Sequence, residues 1–293
     1  MRFILNLCKV SSINLFILYN KFIRIKGFCM QNTLERKTIE NIDFNCDLAQ
    51  SFGIYKNILE FNLLDYVSSV NISCGFHAGD PLAIKNALLA AKEKNTVIGA
   101  HIGFDDIQGF GYRNMDLTDD ETEAIVIYQV GALMSFAKSF NLEIEHVRPH
   151  GAMYKKASED FAFSCAVAKA VKKCSKWLVY YGAAGDVLSA VGEYVNIPVA
   201  HEVFLDKVYN TDGTVDYSSV DIKDTETSIS HLKLLLSQSQ VYNNDGGKTI
   251  INADTIHFTN RNLNSSELVK RANEIISPLP VNYKNVYDSG WVE

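Results

Sequence analysis

From Ile39 onward, short apolar and β-branched runs alternate with longer stretches of helical period. The pattern predicts strands over residues 42–47, 67–74, 96–101, 144–147, 177–181, 199–204 and 249–252. Several are nearly continuous apolar runs, as expected where both faces of a parallel sheet are covered. Helices are predicted between them, over 81–94, 118–140, 159–173, 186–194, 225–237 and 266–276. Asp80 before Pro81 reads as a helix start, with proline at the first helical position. Thr118 followed by Glu121 reads as a capping box, and Asn264 before Glu267 as another helix start. Seven β/α repeats without a Pro- or Ser-rich linker imply an α/β barrel or barrel-like sheet, one domain over residues 39–293.

Composition narrows the function classes. The chain has 293 residues, 47% hydrophobic and 21% charged, enough for a substantial core without disulfides or metal. A net charge of −6 with no basic run in the body argues against nucleic acid as a ligand. Cys8, Cys29, Cys46, Cys74, Cys165 and Cys174 form no CxxC pair and read as the reduced thiols of a cytoplasmic protein. Residues 1–38 read as an N-terminal extension. Its apolar stretch over 3–19 is broken by Asn6, Lys9, Ser11, Ser12 and Asn14, which suits neither a membrane helix nor a clean export signal. The expected reading is an upstream extension with translation starting at Met30; a weak membrane or export segment is the alternative.

The polar residues gather where parallel α/β folds carry their chemistry, at the carboxyl ends of strands. Asn45 and Asp47 end the first strand, and Asn71 through His77 to Asp80 follow the second. His101 ends the third, His146, Arg148 and His150 the fourth, Glu202 and Asp206 the sixth, and Asp254 the seventh. Any one of these has a bland explanation, and Asp80 reads equally as a simple helix cap. Together, Asp47, His77, His101 and His150 on four strand ends imply one shared pocket. Histidine titrates near neutrality, so such a pocket suits hydrolysis or proton transfer. Asp47, His77 and His101 are also candidates to hold a divalent metal, although no HExxH helix is present. Gly247, Lys248 and Thr249 resemble the end of a phosphate loop, but Tyr242 stands where its first glycine belongs, and 243–247 reads as a turn. The chain therefore shows no ATP site of its own.

In this order, the motifs resemble the LamB/YcsF family. The residues that carry the resemblance are Asn45, Cys46 and Asp47 with Ser51, Phe52 and Gly53; NISCGFHAGDP at 71–81; and Gly99, Ala100 and His101. Gly109, Phe110, Gly111 and Arg113 follow, then HVRPHGAMY at 146–154, Glu202 to Phe204 with Asp206, and Ala253 to Ile256. The resemblance implies a distorted seven-stranded β/α barrel related to polysaccharide deacetylases. It implies hydrolytic opening of 5-oxoproline to L-glutamate with ATP hydrolysis, with B and C subunits as partners that supply part of the ATP-dependent step. Asp47, His77, His101 and His150 are then the catalytic candidates, activating water or an oxygen of the lactam. Asn45, Asn71, Asp80, His146, Arg148, Tyr154, Glu202 and Asp206 are the substrate-binding candidates, His146 and Arg148 toward the carboxylate or a phosphoryl group.

The chain also departs from the family pattern. Ala49 and Gln50 stand where the family has Gly and Glu. His257, Phe258, Thr259, Asn260 and Arg261 stand where it has Cys, Val, His, Gly and Asp, which leaves His257 two positions early, on the same strand face. Ile102 replaces proline, Tyr112 arginine, Arg148 lysine and Lys207 arginine. These changes keep two other readings open: a hydrolase of another small amide, lactam or acylated sugar, and a non-catalytic binding or regulatory protein.

Overall fold

The computed structural model describes residues 39–59, 61–259 and 263–281; the extension over 1–38 lies outside the described residues. Strands β1 (Asp43–Leu48), β2 (Ser69–Ser73), β3 (Val97–Ile102), β4 (His146–Pro149), β5 (Val179–Ala183) and β6 (Val199–Val203) pair in sequence order. Two short antiparallel strands, β7 (Gln240–Tyr242) and β8 (Lys248–Ile250), stand apart as a hairpin, and β9 (Thr255–Phe258) closes the barrel between β6 and β1. All seven barrel strands are parallel.

Helices α1 (Pro81–Lys94), α2 (Asp119–Ser139), α3 (Gly151–Glu159), α4 (Phe161–Cys174), α5 (Asp186–Val195), α6 (Thr225–Gln238) and α7 (Leu263–Ile275) complete the described elements. The predicted caps of α1 and α2 are present. Asp80 accepts from the Leu82 and Ala83 amides, and Thr118 and Glu121 form the reciprocal capping box. Among the described residues no helix is long and apolar enough to cross a membrane.

Three details depart from the expectations. The β-branched run at 249–252 does form a strand, but β8 pairs back on β7 across the 243–247 turn, and the seventh barrel strand begins at Thr255. The expected helix over 159–173 is α4, which starts at Phe161 where Asp160 accepts from the Phe163 amide, and the separate helix α3 just before it was not expected. Helix α3 is short and buries only Met153, Tyr154 and Ala157, too few positions to show a helical period. Asn264 lies inside the first turn of α7 and reaches the Lys223 carbonyl, so it is not the cap.

The strands are buried on both faces, yet the two faces differ in chemistry. Phe44, Cys46, Leu48, Val70, Ile72, Ile98, Ala100, Ile102 and Val147 belong to the main apolar core, which includes Leu88, Val130, Leu133, Val167 and Val171 of the surrounding helices. The alternate positions, Asp43, Asn45, Asp47, Ser69, Asn71, His101, His146, Arg148, Glu202 and Thr255, are buried and bond to one another across strands. An interior of this kind usually carries branched apolar side chains; here Val179, Tyr181 and Ala200 form a separate small apolar cluster. Period-two alternation thus sends apolar groups to the helices and polar groups into the barrel.

One level of this interior is centred on Asp43, which accepts from Ser68 (2.6 Å), Ser69 (2.8 Å) and Thr255 (2.6 Å). Burial pushes its carboxyl up to about 6, against the lowering effect of those hydroxyls. A carboxyl raised in the folded state contributes stability that is full below its unfolded value and is lost as pH rises through the folded one. The shift from 3.8 to about 6 corresponds to a loss on the order of 3 kcal/mol. Urea unfolding from pH 4 to 7 is expected to show the Asp43→Asn variant lacking this fall, with wild type losing stability relative to it as pH rises.

Candidate active site

The upper barrel interior is organised around Arg148. Its guanidinium meets Glu202 through Nε at 2.8 Å and a terminal nitrogen at 2.7 Å, and its other terminal nitrogen lies 3.5 Å from Asp47 Oδ1. A fork meeting a carboxylate in this way fixes direction as well as charge. The amides beneath continue the order. Asn45 donates to Glu202 (3.0 Å) and to Thr255 (2.7 Å). Asn71 donates to Asn45 Oδ1 (2.8 Å) and Asp47 Oδ1 (3.1 Å), while its own oxygen accepts from His146 Nε2 (2.8 Å).

The histidines form a second layer. His101 Nδ1 donates to the Arg148 carbonyl (3.1 Å), and its Nε2 lies 3.3 Å from Asp47 Oδ2 and 3.0 Å from His150 Nδ1. His150 Nε2 donates to the Phe110 carbonyl (2.8 Å). His77 stacks on His150 with ring centroids 4.0 Å apart, its Nε2 at 3.1 Å from Ser73 Oγ. The four expected strand ends therefore do converge. His257 joins them from β9, donating through Nδ1 to Asn45 Oδ1 (2.8 Å) with Nε2 at 3.6 Å from Asp47.

Burial sets the charge states. It pushes the Asp47 carboxyl up, but His101, His257 and Arg148 outweigh it and hold the group well below the usual carboxylate range. Glu202 is lowered in the same way, with Arg148 overcoming burial. Burial, then the neighbouring His150 and His101, pushes His77 well below its ordinary value, and burial with His101 does the same to His150. Burial lowers His257 to about 4 and His146 to about 3. At neutral pH the floor holds two carboxylates and one guanidinium among imidazoles of which these four are neutral.

Two glycines make the stack possible. A Cβ on Gly103 would lie 2.5 Å from His77 Nδ1, and one on Gly111, at φ 72°, would lie 2.7 Å from the His150 ring. Both belong to the loop after β3, which is braced where Arg113 bonds Asp106. A Cβ on Gly99 would collide with the His146 ring, so that glycine opens the barrel interior for an imidazole.

A cavity of about 940 Å³ opens above this floor. Asp47, Arg148, His150, His257 and Thr259 line it below, Tyr154, Phe204 and Tyr217 along the sides, and Lys155, Lys156 and Lys207 near acids at the rim. Asp206 also lines it, with its carboxyl raised by burial, and Tyr154 stacks on Arg148 (4.8 Å). The other candidates sit elsewhere. Asp80 caps α1 and holds the Gly53 amide (2.9 Å), so its carboxylate serves the loop. His146 lies under the floor, stacked on Tyr181, and reaches Asp47 only through Asn71.

Sequence reasoning left His257 out of the site, although its period-two relation to Thr255 was the available signal. The phosphate-loop lookalike is confirmed as a hairpin, with the Gly247 amide donating to Asp245. Ser189, His201 and Asp254 line up at 2.9 and 3.0 Å, but Ser189 also reaches the carbonyl of Gly185, the residue that caps α5, and none of the three lines the cavity. They tie α5 to β6 and the approach to β9. For a metal, one ring nitrogen each from His77, His101 and His150 lie within 4.8 Å of one another, which adds His150 to the candidates.

The family model for LamB/YcsF matches residues 42–288. The chain belongs to the LamB/YcsF family. It is 39% identical over 221 residues to the 5-oxoprolinase A subunit of Bacillus licheniformis, covering 74% of this chain and 87% of that one. It is 40% identical over 218 residues to the 5-oxoprolinase A subunit of Bacillus subtilis, covering 73% and 85%. The crystal structure of the lactam utilization protein from Thermus thermophilus superposes with a TM-score of 0.78 at 32% identity, covering 82% of this chain and all of that one.

The departures from the family pattern now have positions. Ala49 has φ 57°, the left-handed region where glycine is at ease, so this member keeps the turn without the residue that suits it. Gln50 donates to Asp47 Oδ2 (3.2 Å), replacing a carboxylate beside a carboxylate with a donor to it. Thr259 and His257 both line the cavity, so an imidazole still enters from β9, one inward position earlier. Asn260 and Arg261 lie outside the described residues.

Removing Arg148 leaves Glu202 and Asp47 buried without their cation, a loss of about 3–5 kcal/mol. Urea unfolding of Arg148→Met is expected to show that loss. Arg148→Met with Glu202→Gln is expected to recover part of it, and equal losses in the two would contradict the assignment.

Proposed function

We propose that this LamB/YcsF member is the A component of a 5-oxoprolinase, opening the lactam of 5-oxoproline to L-glutamate with ATP hydrolysis and partner B and C subunits. The observation that carries the reading is a preformed floor of two low-pKa carboxylates, a guanidinium and neutral imidazoles beneath a cavity, in a chain whose relatives carry the name of the 5-oxoprolinase A component. Ring opening adds water across the C–N bond, so it needs a base toward water, a donor toward the leaving nitrogen and positive charge near the carbonyl oxygen. Asp47 and the His101/His150 pair supply acceptors, the neutral imidazoles can carry a proton between the two ends, and Arg148 supplies fixed positive charge. His146 is a positioning residue in this scheme, holding Asn71 and through it Asp47.

The cavity is roomy for a five-membered ring alone, which agrees with a second reactant or a partner's segment sharing it. In this reading the partner subunits supply part of the ATP-dependent step, and the hairpin at 240–250 is not a phosphate loop. Gln50, neutral where the family has an acid, favours one competing reading, a protein that binds without turnover.

ATP-dependent glutamate release from 5-oxoproline, assayed with and without candidate B and C subunits, separates the two. Release is expected only with partners, and absence of release with functional partners present favours the binding role. His77→Ala and His150→Ala are each expected to lower kcat by about 10²–10⁴, the range for loss of general acid–base assistance. Wild-type turnover in either would remove that histidine from the mechanism.

A further inference from the structure

The hydrogen-bond directions around His101 and His150 leave an electrostatic problem. Each ring has one nitrogen committed as a donor to a backbone carbonyl: His101 Nδ1 to Arg148 and His150 Nε2 to Phe110. In a singly protonated imidazole the remaining nitrogen carries a lone pair. The two remaining nitrogens face each other at 3.0 Å, and Asp47 Oδ2 lies 3.3 Å from the same His101 nitrogen. His77 adds a buried Nδ1 with no hydrogen-bond partner. With one proton of each ring directed at a carbonyl, the two facing nitrogens and Asp47 Oδ2 meet as three lone pairs, beside the stacked His77 ring. Charge points the same way, because Asp47 and Glu202 against Arg148 leave the buried floor with a formal charge of −1.

The geometry points to a divalent transition-metal site, of the zinc class, held by one ring nitrogen each of His77, His101 and His150, with Asp47 Oδ2 beside His101 Nε2 as its carboxylate. Bonds of about 2.0–2.2 Å place neighbouring donors on one ion roughly 3.0–3.5 Å apart. The His101–His150 and Asp47–His101 separations already have that length. His77 comes into range by side-chain closure, since the three imidazoles offer nitrogens within 4.8 Å of one another. The backbone carbonyls on the far ring nitrogens are the outer partners that orient histidine ligands and fix their tautomers. Imidazoles with a single carboxylate select zinc, cobalt or nickel over magnesium or calcium. Asp47 and His150 line the cavity, so a bound ion faces it and can supply Lewis-acid activation of water or a carbonyl oxygen.

Metal binding by the full chain alone, without ATP, 5-oxoproline or partners, tests this separately from the proposed reaction. Chelator-treated protein titrated with Zn²⁺ or Co²⁺ by calorimetry is expected to bind one ion per chain, with Co²⁺ gaining visible absorption. His101→Ala, His150→Ala and Asp47→Asn are each expected to weaken binding more than about 100-fold, beyond the loss of a mere supporting partner. Thermal melting without metal shows whether each variant is folded. Should they not fold, the anomalous signal of Co²⁺ in wild-type crystals still locates the ion. A peak among His77, His101, His150 and Asp47 is expected. No saturable binding by wild type, or a peak elsewhere, overturns the proposal and leaves a proton shared by His101 and His150.

Discussion

An arginine inside a barrel is tolerable only if its charge is matched, and Arg148 is matched by Glu202 through two nitrogens and by Asp47 through a third. Desolvating three ionised groups is expensive, and their attraction offsets it only when the geometry is tight and the remaining lone pairs are satisfied. The neighbouring strands supply that satisfaction. Asn45 turns one amide hydrogen to Glu202, Asn71 turns one to Asp47, and Gln50 adds another. Each amide oxygen then needs a donor, which is why His146 and His257 are held with a proton toward Asn71 and Asn45. The tautomers of the inner histidines follow from the arginine.

The same constraint explains why the site is stiff. Asp47 is held by groups from β2, β3 and β4 and by Gln50 after its own strand, so it cannot turn away without stranding a charge. The histidine pair is tied to carbonyls on β4 and on the loop after β3, and glycines at 103 and 111 let the rings lie against backbone. Groups preset in this way need little reorganisation when charge develops in a substrate, which is the main electrostatic advantage of an enzyme site.

Much of this was legible in the sequence because strand ends and helix caps have local signatures. The Asp80–Pro81 and Thr118–Glu121 starts fixed two helices, and the convergence of Asp47, His77, His101 and His150 follows from their places at strand ends in a closed parallel barrel. What escaped depends on partners distant in sequence. The run at 249–252 has strand chemistry, and nothing local says that it folds back on Gln240–Tyr242 instead of entering the barrel. His146 and His150 sit four apart in one motif, yet one lies under the floor and the other faces the cavity, because β4 ends between them. His257 looks like a displaced residue in the sequence; with β9 beside β1 it falls opposite Asn45.

Under the proposed function, a small lactam is handled on the floor formed by Asp47, His150, Arg148 and His257. A crystal structure of the chain assembled with its partner subunits and soaked with 5-oxoproline tests it most directly. The lactam carbonyl is expected in contact with Arg148 or the histidines, with its ring within the cavity below Tyr154 and Phe204. A lactam bound outside that cavity, with the Asp47–Arg148–Glu202 floor untouched, would contradict it.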